Sequence, residues 1–223
     1  MPQVSQQLNL TFHGVGTPPA WVSPEEHSVW VKREEFYSIL DALAGHEQMS
    51  ITFDDGNSSD YHIAVPALLE RKLQAEFFVL AERVGVPGYL GVQELRQMHR
   101  CGMTIGLHGL QHRPWRLLGN KELDAELYEG RSRLEQILGI PVDEAACPFG
   151  SYDRRVLRIL AEAGYQRVFS SDRGWASSAD WMQSRNTIHA ADSRKAIEKL
   201  MAKPLGGLTG WVREMKLMAK RWR

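Results

Sequence analysis

The chain has 223 residues, of which 43% are hydrophobic and 24% are charged, and this composition predicts a globular protein with a sizeable core. Lysine plus arginine and aspartate plus glutamate each total 27, so the formal net charge is zero, which argues against a general nucleic-acid binder. The two cysteines, Cys101 and Cys147, favour a reducing compartment. No basic start leads into an apolar run, and no stretch approaches ~18 apolar residues, so we expect a cytoplasmic protein without a membrane span.

The neutral total conceals a basic C-terminal segment. Residues 194–223 contain nine basic and two acidic side chains, a net charge of +7, so the rest of the chain carries −7. The stretch after Pro204 has the pattern of a basic amphipathic helix, with tryptophan and methionine near one face. We therefore divide the chain into a domain, residues 1–192, and a basic helical tail, residues 193–223. The apolar face of the tail either packs on the domain or makes peripheral contact with an anionic membrane.

Short apolar runs alternate with helical patterns along the chain. In order, the pattern predicts strand 8–12, helix 32–44, strand 49–53, helix 61–71, strand 76–80, helix 92–101, strand 103–107, helix 121–138, strand 144–147, helix 154–163, and strands 166–170 and 186–188. A glycine directly follows four of these helices, as expected for a helix end: Gly45, Gly102, Gly139 and Gly164. The alternation indicates parallel strands with helices outside them.

Polar residues follow several predicted strands at their carboxyl ends, where such folds gather their chemistry. They are His13, Asp54 with Asp55, His108, and the run Pro148, Phe149 and Gly150. Adjacent carboxylates repel each other, so Asp54 and Asp55 need a bound cation or a nearby guanidinium. The alternative is that the run Asp-Gly-Asn-Ser is simply a turn.

His108 and His112 lie four residues apart, directly after a predicted strand. On a helical turn this spacing puts both imidazoles on one face, where they can bind one divalent ion. Two histidines and one carboxylate, with positions left open for water, form the ligand set of a catalytic metal site. Two ordinary surface histidines are the alternative, but the carboxylate pair at another strand end favours the metal.

Together these motifs resemble the polysaccharide deacetylases with a NodB homology domain, carbohydrate esterase family four. The family motif TFDDG occurs unchanged at residues 52–56, and HSxxH or HTxxH is met as HGLQH at residues 108–112. A Pro-aromatic-Gly motif is met at residues 148–150, and the order and spacing agree over roughly residues 8–190. The resemblance implies a single-domain α/β fold, a distorted (β/α) barrel of seven parallel strands.

The resemblance also implies a metal centre with an adjacent base. Asp55, His108 and His112 would hold a divalent metal, with zinc as the expected ion, which would polarise the acetamide carbonyl. Asp54 would be the general base that takes a proton from the attacking water. A cation between the two neighbouring carboxylates would stabilise both, and Gly56 would permit the chain to turn away.

Further roles follow from looser matches. The main-chain N–H of Phe149 would help to stabilise the oxyanion. His189, in the last motif, would be the general acid for the leaving amine. Asp172 and Trp175 match a charge partner and a groove wall. His13 would either line the pocket or serve the structure.

Two departures from the family pattern bear on the site. Gly109 replaces the serine or threonine whose hydroxyl braces the histidine loop, which predicts a reshaped loop with intact ligands. Cys147 stands where many members carry an arginine that pairs with the base, and we interpret it as a small core residue. Asp54 then needs another partner. Arg185 is the candidate, although it could equally be a solvated surface arginine.

The sequence therefore predicts a metal-dependent deacetylase that hydrolyses N-acetyl groups of an amino-sugar-containing glycan, in exopolysaccharide or surface-glycan synthesis. One alternative is a hydrolase that acts on a non-sugar amide or ester with the same metal site. Another is a catalytically inactive glycan-binding module, since the third motif, which follows Cys147, and the last motif, RNTIH at residues 185–189 without the usual leucine-rich run, are altered. The presence of both the base and all three ligands argues against an inactive module.

Overall fold

The computed structural model of the protein describes residues 5–202, together with Met215 and Lys220. Strands in this part are, in chain order, β1 (Gln6–Phe12), β2 (Gly14–Val15), β3 (Trp30–Val31), β4 (Met49–Asp55), β5 (Glu76–Val79), β6 (Thr104–Leu107), β7 (Glu144–Ala146), β8 (Arg167–Ser170), β9 (Ala176–Ser177) and β10 (Met182–Thr187). Seven of them pair in parallel in the order β10, β8, β7, β6, β5, β4, β1, and a further β1–β10 pairing closes the sheet. The predicted seven-stranded barrel is confirmed.

Helices surround the barrel between successive strands. They are α1 (Arg33–Leu43), α2 (Val65–Glu70), α3 (Val92–Arg100), α4 (Asn120–Asp124), α5 (Gly130–Leu138), α6 (Arg154–Glu162) and α7 (Arg194–Met201). A π-helical turn, Ala125–Glu129, joins α4 to α5, so the long helix predicted over residues 121–138 is present with a widened turn inside it. It ends at Gly139, whose φ of 75° is the left-handed conformation that favours glycine there.

The helix after β4 begins differently from the sequence prediction. Its first turn is π-helical, Asp60–Ala64, and α2 continues from Val65. Pro66 is the second residue of α2, so a residue without an N–H lies where the helix changes from π to α. Asp60 is fully buried in the π-helical turn.

Side chains along β4 point alternately to the apolar core outside the barrel and to the site inside it. Phe53 points outward, stacks on Phe77 at a centroid distance of 4.6 Å and packs edge-on against Phe36 of α1. Its neighbours Thr52 and Asp54 face the barrel interior, because successive side chains of a strand alternate between faces. Outward positions therefore build the apolar layer beneath the helices, and inward positions are free to carry polar chemistry.

The described part of the predicted tail packs on the barrel. In α7, Ile197 is buried, and the main-chain N–H of Arg194 donates to the Glu35 carboxylate of α1 at 2.6 Å. The amphipathic helix predicted after Pro204, and with it the membrane contact, lies outside the described residues apart from Met215 and Lys220. Among the described helices none has the length and apolar character required to cross a bilayer.

Candidate active site

Two consecutive left-handed residues end β4 and bring adjacent carboxylates to one end of the barrel. Asp55 has a φ of 78° and Gly56 a φ of 73°. In a regular strand the side chains of Asp54 and Asp55 would point to opposite faces. The turn at Asp55 instead leaves Asp54 pointing inward while Asp55 approaches the histidines that follow β6. This turn explains how two consecutive aspartates can both contribute their side chains to the same site.

Asp55, His108 and His112 converge as the sequence predicts. Asp55 Oδ1 lies 3.4 Å from His112 Nε2 and 3.7 Å from His108 Nε2, and one ligand atom from each residue falls within 4.8 Å of the other two. His108 Nδ1 donates to the Ala146 carbonyl at 2.9 Å, which leaves Nε2 as the free lone pair. Burial lowers the pKa of His108 to about 4, so the imidazole is neutral at pH 7.

The three side chains fit a divalent cation. Asp55 Oδ1 is buried and has no hydrogen-bond donor among the described residues, which is costly unless a cation approaches it. Ligand atoms on a tetrahedral zinc ion lie about 3.4 Å apart, close to the observed separations. Two imidazoles and one carboxylate leave coordination positions open, as in catalytic rather than structural sites.

Arg185 forms a buried, two-pronged ion pair with Asp54. Its Nη1 and Nη2 donate to the two carboxylate oxygens at 2.6 and 2.7 Å, and neither residue is more than 3% exposed. Nη1 also lies 3.2 Å from Thr52 Oγ1, and the guanidinium lies over the Phe78 ring. The pairing predicted from the sequence is observed, and the surface alternative for Arg185 is wrong.

The ion pair fixes the protonation state of Asp54. Burial by itself would raise the pKa of Asp54, but the charge of the Arg185 guanidinium, joined in acid by that of protonated His108, outweighs it and holds that pKa well below its ordinary value. Asp54 is therefore a carboxylate at neutral pH. Its Oδ2 lies 3.8 Å from His108 Nε2, so the anion adjoins the metal-ligand cluster without being one of its three members.

The third motif forms one side of the site. Phe149 has a φ of 56°, and its side chain is 66% exposed and stacks on the His112 ring at 4.4 Å. The main-chain N–H groups of Gly150 and Ser151 donate back to Cys147 and Pro148, which closes a tight turn. Cys147 is buried, and burial raises its pKa to about 12, so it remains a thiol and packs as a small core residue.

A cavity of about 240 Å³ opens in front of the centre. Its walls are aromatic and charged side chains from the segment between β2 and β3, from β3 itself and from the loop after β5: Trp21, Glu25, Glu26, Trp30, Arg83 and Tyr89. Trp21 lies 4.9 Å from Tyr89 between ring centroids, and it rests on Gly88, where a Cβ would come within 2.6 Å of the indole. Arg83 Nη1 donates a hydrogen bond to the Tyr89 hydroxyl at 2.8 Å.

His13, rather than His189, reaches this cavity. His13 follows β1, lines the cavity, and has a buried Nδ1 without a hydrogen-bond partner among the described residues. His189 follows β10 and is not among the residues that line the cavity; its main-chain N–H donates to Asp192 at 2.8 Å. The sequence did contain the signal for His13, a polar residue at a strand end beside the strand that carries Asp54.

Asp172, predicted as a charge partner, forms an ion pair with Lys220 of the C-terminal tail. The carboxylate accepts from Tyr152 at 2.6 Å, Ser170 at 2.7 Å and Lys220 Nζ at 2.6 Å. Lys220 Nζ also donates to the Gly150 carbonyl at 2.9 Å, so it joins Asp172 to the turn of the third motif. Trp175, predicted as a groove wall, is buried and lines a different cavity between α1 and α7.

The strands form a closed parallel barrel, and an Asp-His-His cluster and a buried carboxylate lie at their carboxyl ends. This arrangement is typical of a hydrolase with a catalytic rather than a structural ligand set. Residues 44–168 match the family model described as polysaccharide deacetylase. The chain belongs to the polysaccharide deacetylase family, and it is accordingly an enzyme of the amide-hydrolysing type.

Individual relatives agree with this assignment. The chain is 23% identical over 196 residues to YxkH of Bacillus subtilis (strain 168), a protein named as a polysaccharide deacetylase. The match covers 82% of this chain and 70% of that protein. It is 31% identical over 134 residues to the peptidoglycan-N-acetylglucosamine deacetylase of Bacillus cereus (strain ATCC 14579), covering 58% of this chain and 61% of that one. The fold resembles the Streptococcus pyogenes deacetylase PplD in complex with acetate, with a TM-score of 0.80 at 20% identity, covering 91% of this chain and all of that one.

The first prediction concerns the metal ligands. The apoprotein should bind one Zn²⁺ per chain, and replacing Asp55, His108 or His112 with alanine should weaken binding at least ~10-fold, because each supplies one ligand atom. Isothermal titration with Zn²⁺ measures this. His46→Ala removes an exposed histidine outside the cluster and is the control. Unchanged affinity in all three ligand variants would contradict the assignment.

A second prediction concerns the anchor formed by Lys220. Lys220→Met should lower the free energy of unfolding by about 1 kcal/mol, because Asp172 loses a charged partner that is itself partly exposed. Urea unfolding followed by tryptophan fluorescence measures the change. Lys199→Met, which removes an exposed charge from α7, is the matched control. If both variants unfold at the same urea concentration, the Lys220 contact contributes no stability.

Proposed function

We propose that the protein removes N-acetyl groups from an amino-sugar-containing glycan with the aid of a divalent metal, and that it acts in exopolysaccharide or surface-glycan synthesis. The observation that carries the proposal is an ionised, buried Asp54 directly beside a three-residue cluster suited to a cation. The substrate class is supported by the names of relatives, which include a peptidoglycan-N-acetylglucosamine deacetylase. Aromatic walls around the cavity suit a sugar ring.

A zinc ion held by Asp55, His108 and His112 would supply Lewis-acid polarisation of the acetamide carbonyl. Asp54 acts as the general base: its carboxylate accepts a proton from the water that attacks the carbonyl carbon. Arg185 keeps that carboxylate ionised and fixes its orientation through both oxygens. The exposed ring of Phe149 covers one side of His112 and limits the entry of bulk water.

Protonation of the leaving amine falls to His13 in this scheme. His13 and Asp54 line the same cavity, whereas His189 does not. The Nδ1 of His13 has no hydrogen-bond partner among the described residues, so no other contact occupies that nitrogen. Histidine is the side chain most often used for general acid–base catalysis. The general-acid role predicted for His189 from the last motif therefore passes to the histidine at the end of β1.

A third prediction tests the base together with the activity. The wild-type protein loaded with Zn²⁺ should release acetate from N-acetylated chitooligosaccharides or from N-acetylated peptidoglycan fragments. Asp54→Asn should lower the rate about 10²–10⁴-fold, the usual contribution of a positioned base, while it still binds the metal. Asp180→Asn changes an exposed aspartate and is the control. Metal binding without acetate release from any glycan would favour a non-sugar amide or ester as substrate, or an inactive binding module.

A fourth prediction follows from the charge on Arg185. Asp54 works as a carboxylate, so activity falls as the pH drops through its pKa. Removing the guanidinium in Arg185→Met leaves burial as the main influence, which raises that pKa, so the acidic limb of the pH–rate profile should move to higher pH. Arg185→Lys retains a charge and should shift the limb less. An acidic limb that stays in place in folded Arg185→Met would contradict this account.

A further inference from the structure

Gly109 leaves no room for the side chain that the motif HSxxH or HTxxH would place between the ligand histidines. Its φ is +94°, a conformation that L side chains rarely adopt. A Cβ built there would lie 2.4 Å from Glu126 Oε2, well inside contact distance. The space that a serine or threonine would need is therefore occupied by a carboxylate from a distant part of the chain.

Glu126 reaches the histidine loop, residues 108–112, from the π-helical turn between α4 and α5. It is only 2% exposed. Its Oε2 accepts the main-chain N–H of Leu110 at 2.9 Å, and its Oε1 accepts that of Gln111 at 3.1 Å. Both amides lie between the two ligand histidines in the chain. Because its two oxygens bond two consecutive main-chain amides, the carboxyl group anchors this part of the loop.

The loop needs such an anchor because its backbone is strained. Gly109 and His112 both have positive φ, at +94° and 61°, and a histidine keeps that conformation only when its surroundings hold it there. This conformation is what turns His112 Nε2 toward Asp55 at 3.4 Å. The two amides bonded to Glu126 lie in the segment that must stay fixed for both imidazoles to converge.

We propose that Glu126 is a positioning residue of the metal centre. It takes the place of the missing hydroxyl by holding the main chain at Leu110 and Gln111, so that His108 and His112 meet Asp55 at ligand distance. Glu126 does not touch the ion or the substrate, and its effect passes through the histidine loop. The inference rests on the proposed function only in treating Asp55, His108 and His112 as a metal site.

Cobalt binding to the full-length apoprotein tests this proposal without an activity assay. Glu126→Ala should bind Co²⁺ about 10–100-fold more weakly, the usual cost of losing a group that orients metal ligands. The visible Co²⁺ bands should also move, because the ligand geometry changes, whereas a merely structural role would leave the bands in place. Glu129→Ala, from the same π-helical turn, removes an exposed carboxylate and should match the wild type.

Two further variants keep the test decisive if Glu126→Ala does not fold. Glu126→Gln preserves the shape and one acceptor oxygen, so it should weaken Co²⁺ binding less. Gly109→Ala pushes a methyl group against the carboxylate and should also weaken binding. Wild-type affinity and unshifted bands in the folded variants would overturn the role of Glu126. Failure of the wild type itself to bind Co²⁺ would instead overturn the metal centre of the proposed function.

Discussion

The buried ion pair between Asp54 and Arg185 is the interaction on which the rest of the site depends. It joins β4 to β10 across the barrel interior, with the Phe78 and Phe169 rings beside the guanidinium. Removing one partner of such a pair leaves an uncompensated charge and typically costs about 3–5 kcal/mol. The same contact that completes the interior also keeps Asp54 ionised beside the Asp55, His108 and His112 cluster, so the stability of the barrel and the charge of the site depend on one position.

Backbone strain is concentrated where the chemistry lies. Of the five described non-glycine residues with positive φ, Asp55, His112 and Phe149 belong to the site, whereas Lys72 and Arg173 do not. Such conformations persist only when neighbouring structure enforces them. Here the neighbours are the turn at Gly56, the carboxylate of Glu126 and the tight turn that begins at Cys147. Each holds one element of the centre, so the geometry of the site depends on several independent parts of the fold.

Features that depend on neighbouring residues could be predicted from the sequence, whereas contacts between residues far apart in the chain could be predicted only in part. The strands and the Asp54–Asp55 and His108–His112 motifs depend on short-range patterns, and the need to balance a buried charge identified Arg185. The sequence placed the acid at His189 because it followed motif order, whereas His13 is the histidine outside the Asp55, His108 and His112 cluster that lines the cavity. Glu126 and Lys220 act through contacts 15 or more residues away and left no local pattern.

Closure of the barrel by the pairing of β1 with β10 has a consequence for biosynthesis. The first strand lies between β4 and the last strand, so it keeps an open edge until residues 182–187 have left the ribosome. Until then the carboxylate of Asp54 has no guanidinium beside it, and the nascent chain exposes an unpaired strand edge, a known hazard for aggregation. The ion pair of Asp54 is thus completed last, by almost the final segment of the domain to be translated.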